Sequence, residues 1–154
     1  MENGNTNWQQ SVTAVVIKDN KVLLGRHTYG AGKGKLIIPG GYVNVGESPQ
    51  EAVKREYLEE TGVTIEPKDI IGIRFNSHDW YVAFTADYIS GQPKSDCDEN
   101  SEVVWLDVNE ALMHDDVPEL TKRLLESAQN HNAPFKRTAF HSSENNSPYS
   151  LYTK

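Results

Sequence analysis

The residues in this chain with the clearest capacity for chemistry are Glu47, Arg55, Glu56, Glu59 and Glu60. On a helix turning 100° per residue, Glu56, Glu59 and Glu60 share an arc of about 100°, which is one helix face. Like charges so placed repel by several tenths of a kcal/mol per adjacent pair even in water, and stability alone would put lysines among them. Oxygen ligands gathered without histidine or cysteine select a hard cation, Mg²⁺ or Mn²⁺, which keeps some waters and bridges to substrate phosphate. Arg55 precedes Glu59 by one turn and can hold that carboxylate in a fixed rotamer. The competing reading is a solvated acidic face with no ligand at all.

The elements around these residues position them. Ser48 is an N-cap, Pro49 takes N1, Glu51 at N3 completes a capping box, and Gly62 stands where a left-handed C′ residue ends the helix. The spacing therefore predicts a helix over residues 48–61, with Val53 and Tyr57 facing the sheet. Val12 to Ile17 and Val22 to His27 predict a hairpin about Asp19-Asn20. After a glycine-rich loop, Tyr29 to Lys35, the apolar run Leu36-Ile37-Ile38 is broken by Pro39-Gly40-Gly41. Ile70 to Phe75, Trp80 to Ile89 and Val103 to Leu106 read as strands, and Val108–Met113 and Pro118 to Gln129 as helices. Strands alternating with helices imply an α/β fold, a mixed sheet with helices packed on it. Residues 1–129 read as one domain. Residues 130–154 change to Asn, Ser, Thr and His without periodicity and read as a polar, mobile tail, whose candidate anchors are Phe135, Phe140, Tyr149 and Tyr152.

From Gly41 the chain runs five residues to Glu47, seven more, then Arg55-Glu56-Tyr57-Leu58-Glu59-Glu60-Thr61-Gly62-Val63. This resembles the signature of the Nudix hydrolases at every specified position, and the order of elements is similar over about residues 10–129. Tyr57 stands at a position usually aliphatic, and Asn44 where an acid is frequent. The resemblance implies the family's α/β/α sandwich with a mixed sheet. It implies that Glu56, Glu59 and Glu60 hold divalent ions with the Gly40 carbonyl, that Glu47 supports the loop or an outer metal, and that Arg55 orients Glu59. The implied reaction is hydrolysis of a nucleoside diphosphate linked to another group, with Mg²⁺ (or Mn²⁺) as cofactor. Family members also use a glutamate on the loop before a late strand as general base. Here that loop is Asp96 to Glu102, with Glu99 the first choice and Glu102 the second, unless Glu56 does the work itself. The loop is expected to be mobile until metal-bound substrate closes it.

Substrate contacts lie outside this motif. Arg26, at the end of a strand leading to the glycine-rich loop, is the candidate phosphate contact; Phe75, Trp80 and Tyr81 could stack on a base, although aromatics in strands more often belong to the core. Family members that cleave ADP-ribose often carry a proline about sixteen residues past the motif, and Ser77-His78-Asp79 has none. Those that cleave dinucleoside polyphosphates often carry a tyrosine there, and Tyr81 is nearby. Asp96 to Asn100 begins like a calcium loop, but Ser101 replaces the required glycine and a strand-like run follows. The histidines at 27, 78, 114, 131 and 141 have no metal-ligand spacing.

Composition narrows the partners. In 154 residues, 15 Lys and Arg face 22 Asp and Glu, for a net charge of −7, so duplex DNA or long RNA is not expected. A small nucleotide is the expected substrate. No apolar run approaches the ~18–20 residues of a membrane helix, the polar start does not read as a signal peptide, and the single cysteine, Cys97, fits a reducing cytoplasmic setting. A homodimer is left open. The rival to an enzyme is a nucleotide-sensing module on the same fold with catalysis lost.

Overall fold

The Asp19-Asn20 turn closes the expected hairpin in the computed structural model, which describes residues 4, 7–139 and 149–154. Its arms are β1 (Gln9–Lys18) and β2 (Lys21–His27). Both turn residues take positive φ, 51° and 61°, as a two-residue hairpin requires to match strand twist. The chain continues through β3 (Leu36–Ile37), β4 (Gly40–Tyr42), α1 (Pro49–Thr61), β5 (Thr64–Phe75), β6 (Asp79–Ser90), β7 (Asn100–Asp107), α2 (Val108–Met113), α3 (Glu119–Gln129), β8 (Lys136–Arg137) and β9 (Ser150–Thr153).

Among the described residues the strands form one mixed nine-stranded sheet. β1 runs parallel to β6, from Gln9↔Asp79 to Val16↔Ala86, and its other edge forks. Ser11 to Thr13 pair antiparallel with β4, while Ile17 and Lys18 pair with β2. β2 carries β3 and β7 as antiparallel neighbours. The alternation of side chains along β1 makes both faces apolar. Val12, Ala14 and Val16 pack with Ala52, Val53 and Tyr57 of α1, whereas Val15 packs with Val108 and Ala111 of α2 and Leu124, Leu125 and Ala128 of α3. The expected sandwich of helices on a mixed sheet is therefore present.

Helix α1 begins and ends as its sequence dictates. Ser48 caps it through a reciprocal capping box with Glu51, and Gly62 closes it at φ 71°, its N–H donating to the Leu58 carbonyl. Tyr57 is fully buried, and its hydroxyl finds an acceptor in the carbonyl of Ala14, in the stretch where β1 has left β4 and not yet met β2. That hydrogen bond explains how a tyrosine fits a position suited to an aliphatic residue.

Several elements depart from expectation. β7 starts at Asn100 rather than Val103, which puts Glu102 in the strand and not in the loop before it. Pro39-Gly40-Gly41 does not simply break the chain, because Gly40–Tyr42 pairs with β1. β5 starts at Thr64 rather than Ile70, its register shifting between Pro67 and Ile70, since a proline inside a strand sits at a bulge. In the 130–154 segment, Ser150–Thr153 pairs with β5 from Phe75↔Ser150 to Gly72↔Thr153, and β8 pairs with β9. Of the expected anchors, Tyr152 meets the Phe75 ring at 6.4 Å and Phe135 lies under the Lys154 ammonium at 5.7 Å; Tyr149 is half-buried. Phe140 and His141 lie outside the described residues.

Candidate active site

The site is assembled where the C-terminal half of α1, the β4 strand and the loop before β7 converge. Glu56, Glu60 and Glu99 each offer a carboxylate oxygen, and the three atoms lie within 4.8 Å of one another. Two glycines let the elements approach. A Cβ on Gly40 would lie 2.1 Å from the Val12 carbonyl oxygen, and one on Gly41 would lie 2.3 Å from the Glu56 carboxylate carbon. The Pro-Gly-Gly run is thus the space that the β1 backbone and the Glu56 side chain occupy.

Arg55 organises the acidic side chains on the outer edge. Its Nε and Nη2 donate to the two oxygens of Glu47 at 2.7 and 2.9 Å, a bidentate pair. Nη1 donates to Glu56 at 2.9 Å and to Glu59 at 3.2 Å, and Nη2 also donates to the Tyr42 carbonyl at 2.9 Å. Glu47 accepts the Asn44 N–H as well, and together these donors hold its carboxyl down at about 2. The Arg55–Glu59 contact expected from the sequence is present, but the strongest grip is on Glu47. Glu47 therefore fastens the loop before α1, while Glu59, on the same face, stays more exposed than Glu47 or Glu56.

Electrostatics inside the cluster run the other way. Burial raises the carboxyl of Glu56, an effect that Arg55 opposes. Burial first, then a hydrogen bond and repulsion from Glu99, push Glu60 up to about 9, against a backbone hydrogen bond with Gly40. Glu60 is 5% exposed. Three converging carboxylates with no nitrogen or sulfur donor suit a hard divalent cation, and the proton held on Glu60 marks a place where positive charge is short.

Glu99 and Glu102, the two candidates for general base, are separated by the structure. Glu99 joins the cluster. Glu102 instead pairs with Arg26 at 2.8 Å. Arg26 also donates to Asp116 at 3.0 Å and to the Gly34 carbonyl at 2.8 Å. Its guanidinium is thus committed to two carboxylates and to the glycine-rich loop. The loop bearing Glu99 is tied by hydrogen bonds within itself and to Thr28. Asp96 Oδ1 accepts the N–H groups of Asp98 and Asn100, so the calcium-like run is an Asx turn. Thr28 donates its N–H to the Glu99 carbonyl at 3.1 Å and its hydroxyl to the Asp98 carbonyl at 2.6 Å.

The aromatic candidates fall into two groups. Phe75 and Trp80 meet edge to face at 5.4 Å, with Trp80 46% exposed. Trp80 lies beside Gln10, whose carbonyl accepts the Val43 N–H at the start of the loop carrying Glu47. Tyr81 packs against the α2–α3 core with the Arg74 guanidinium 4.7 Å from its ring centroid, so one face is covered. Three participants were missed in the sequence: Asp116, the second carboxylate on Arg26; Tyr29, stacked on His27 at 5.6 Å; and Asn100, whose side-chain amide donates to the Glu60 carbonyl at 2.9 Å. No spacing rule marks Asp116 or Asn100, because each acts across segments distant in sequence; Tyr29 stacks two residues from its partner, inside the glycine-rich loop.

Comparison with known proteins agrees with this geometry. A family model for the NUDIX domain matches residues 8–127. An ADP-ribose pyrophosphatase of Methanocaldococcus jannaschii is 34% identical over 105 residues, covering 64% of this chain and 62% of the relative. An NAD-capped RNA hydrolase, NudC, of Vibrio atlanticus is 33% identical over 123 residues, covering 75% of this chain and 44% of the relative. This chain therefore spans less than two thirds of the length of either relative. The crystal structure of a MutT protein from Methanosarcina mazei superposes with a TM-score of 0.68 at 29% identity, covering 82% of this chain and 96% of the other. With the motif, the sandwich and the glutamate cluster all in place, the chain belongs to the Nudix family.

Proposed function

We propose that this protein is a divalent-metal-dependent pyrophosphohydrolase that cleaves the diphosphate bond of a nucleoside diphosphate linked to another group. The observation that carries the reading is the convergence of Glu56, Glu60 and Glu99 within 4.8 Å. Glu56, Glu60 and Glu99 would hold a divalent cation, with Glu59 and the Gly40 carbonyl as further ligands. When bound, Mg²⁺ or Mn²⁺ neutralises diphosphate charge and lowers the pKa of water. The chain's own work is mainly positioning, as phosphoryl transfer requires. Arg55 holds Glu56 and Glu59 in fixed rotamers and ties the Glu47 loop to α1. Glu99 would hold the cation through one carboxylate oxygen. Its other oxygen would accept the proton as water attacks phosphorus and the anhydride P–O bond breaks, giving two phosphate-bearing products. Phe75 and Trp80 are the candidates to stack on the base. Arg26 pairs with Glu102 and Asp116 and donates to the Gly34 carbonyl of the glycine-rich loop, from where it is the candidate contact for a substrate phosphate.

The relatives carry names for ADP-ribose pyrophosphatase and NAD-capped RNA hydrolase activities, whereas the absence of a proline at Ser77-His78-Asp79 argues against ADP-ribose. A small nucleotide remains the reading that the net charge of −7 favours. Among the described residues no helix is long and apolar enough to cross a membrane; a cytoplasmic setting rests on the single exposed thiol, Cys97.

The test is a panel of ADP-ribose, NADH, UDP-glucose, dinucleoside polyphosphates and nucleoside triphosphates, assayed for cleavage with Mg²⁺ or Mn²⁺. At least one is expected to turn over. Glu99→Gln should then lower kcat by ~10²-fold or more with KM within a few-fold, because removing the base acts on the transition state. Glu102→Gln should stay within severalfold of wild type. Full activity in Glu99→Gln would move the base to Glu56, and binding of nucleotide and Mn²⁺ without any turnover would favour the sensing module.

A further inference from the structure

Asn100 is the first residue of β7, 3% exposed, and immediately follows Glu99. Its Nδ2 reaches 40 residues back to donate to the main-chain carbonyl of Glu60 at 2.9 Å. That carbonyl lies in the last turn of α1, where carbonyls have no partner within the helix. Its own backbone is tied on both sides: the N–H donates to Asp96 Oδ1, and the carbonyl accepts the Ser95 hydroxyl. The neighbouring strand makes room for it. A Cβ on Gly25 would stand 3.6 Å from the Asn100 Cβ, and the β2–β7 register shifts between Arg26 and His27 so that His27 faces Asn100.

We propose that Asn100 is a positioning residue that sets the Glu99 carboxylate against Glu56 and Glu60; this rests on the reading of that cluster as the catalytic centre. Two observations separate this role from ordinary core packing. First, Asn100 Oδ1 is buried and has no hydrogen-bond partner, which costs free energy and offsets what the amide gains on the Glu60 carbonyl, so net stability is a poor account of an asparagine here. Second, the amide joins the two backbone segments that bear the two interacting carboxylates, Glu60 and its neighbour in the loop, Glu99. Asp96 folds the loop locally, Thr28 ties it to the residue after β2, and just before it Lys94 donates its N–H to the Thr61 carbonyl. Within the loop, the amide of Asn100 is the side-chain bond to the α1 backbone, beside the direct contact of the Glu60 and Glu99 carboxyls. Losing the link leaves the Glu99 backbone held from the Thr28 side and through Lys94, so its carboxylate is set less precisely against Glu56 and Glu60.

The experiment measures Mn²⁺ binding to the nucleotide-free full chain by electron paramagnetic resonance, alongside melting temperature and steady-state kinetics. The variants are Asn100→Leu, Asn100→Ala, Glu99→Gln and Glu99→Gln combined with Asn100→Leu. Asn100→Leu fills the site and removes the orphan oxygen but leaves the Glu60 carbonyl without its donor. These effects have opposite sign, so its melting temperature should stay within a few degrees of wild type. Its Mn²⁺ affinity should nevertheless fall by about 10-fold, the scale of losing a group that orients a ligand, and kcat should fall with KM within twofold. In the Glu99→Gln background the same substitution should add almost nothing, because a residue acting through Glu99 has nothing left to position. Asn100→Ala should lose the same affinity even if it is less stable. Wild-type affinity and kcat in Asn100→Leu would overturn the proposal, as would an equal loss with and without Glu99. A wild type that binds no Mn²⁺ and cleaves no nucleotide would instead overturn the catalytic reading itself.

Discussion

A carboxyl group that is 5% exposed and faces Glu99 is held up to about 9 in Glu60, while Glu47, gripped by Arg55, is held down to about 2. The two shifts act on stability in different pH windows. Glu60 has an ordinary value of 4.5, so the folded state binds its proton more tightly than the unfolded state does. Its contribution is complete below that value and is lost as pH rises toward about 9. Glu47 behaves oppositely, contributing above its ordinary 4.5 and losing it only as pH falls toward about 2. Between pH 5 and 9, therefore, Glu60 tilts stability downward with rising pH; Glu56, also raised by burial, acts in the same direction, and His27, lowered by burial, in the opposite one. In EDTA, the melting temperature of the wild type should fall from pH 6 to pH 8, and Glu60→Gln should flatten that fall while abolishing turnover. Thermal melts at several pH values check it, and a shared slope in wild type and variant would remove Glu60 as the cause. The acidic face was readable from the spacing of Glu56, Glu59 and Glu60. The division of labour was not: spacing shows who shares a face, whereas burial of Glu60 against the exposure of Glu59 depends on where β4 and the Glu99 loop pack.

At the scale of elements, α1 was legible because every device that defines it is local: Ser48, Pro49, Glu51 and Gly62. β4 was not, since proline and glycine ordinarily mark breaks, and the need for Gly40 and Gly41 lies in what stands opposite them. Their neighbours differ in kind, and this makes a prediction. A Cβ on Gly40 meets backbone, the Val12 carbonyl oxygen, which cannot yield without shifting β1. Gly40→Ala should destabilise the fold by roughly 1–3 kcal/mol or more, as overpacking does. A Cβ on Gly41 meets the carboxylate end of Glu56, which can swing aside only by leaving Arg55 and the cluster. Gly41→Ala should melt closer to wild type yet lose ~10²-fold in kcat, since a misplacement of about 1 Å at reacting groups has that effect. Comparing melting temperature and kcat for the two variants decides it; a Gly41→Ala enzyme of normal activity would show that Glu56 need not be fixed. Arg26 teaches the same lesson from the loop side. Its place at a strand end suggested a phosphate contact, and nothing local showed that it pairs with Glu102 and Asp116, 76 and 90 residues away in sequence.

Across the whole molecule, the last strand is the part that composition read least well. Ser150–Thr153 shows no periodicity of its own and is ordered by what it docks on: the edge of β5 supplies the hydrogen bonds and α3 the contact. Leu151 is 1% exposed, worth about 1.5–3 kcal/mol for a fully buried leucine. Ser127 of α3 donates its hydroxyl to the Ile71 carbonyl and accepts the Lys154 N–H, joining helix, β5 and chain end. The carboxylate cluster lies elsewhere, built from α1, β4 and the loop before β7. Stability and catalysis should therefore separate when residues 149–154 are removed. The shortened protein should melt several degrees lower, and its bared β5 edge should promote self-association. Its Mn²⁺ affinity and its kcat at low protein concentration should stay within twofold of the full chain. Melting curves, size-exclusion chromatography with light scattering, and Mn²⁺ titration of both forms make the comparison. An unchanged melting temperature would mean that β9 adds nothing to the sheet, and a lost Mn²⁺ affinity would mean that the cluster depends on the far edge of the sheet after all.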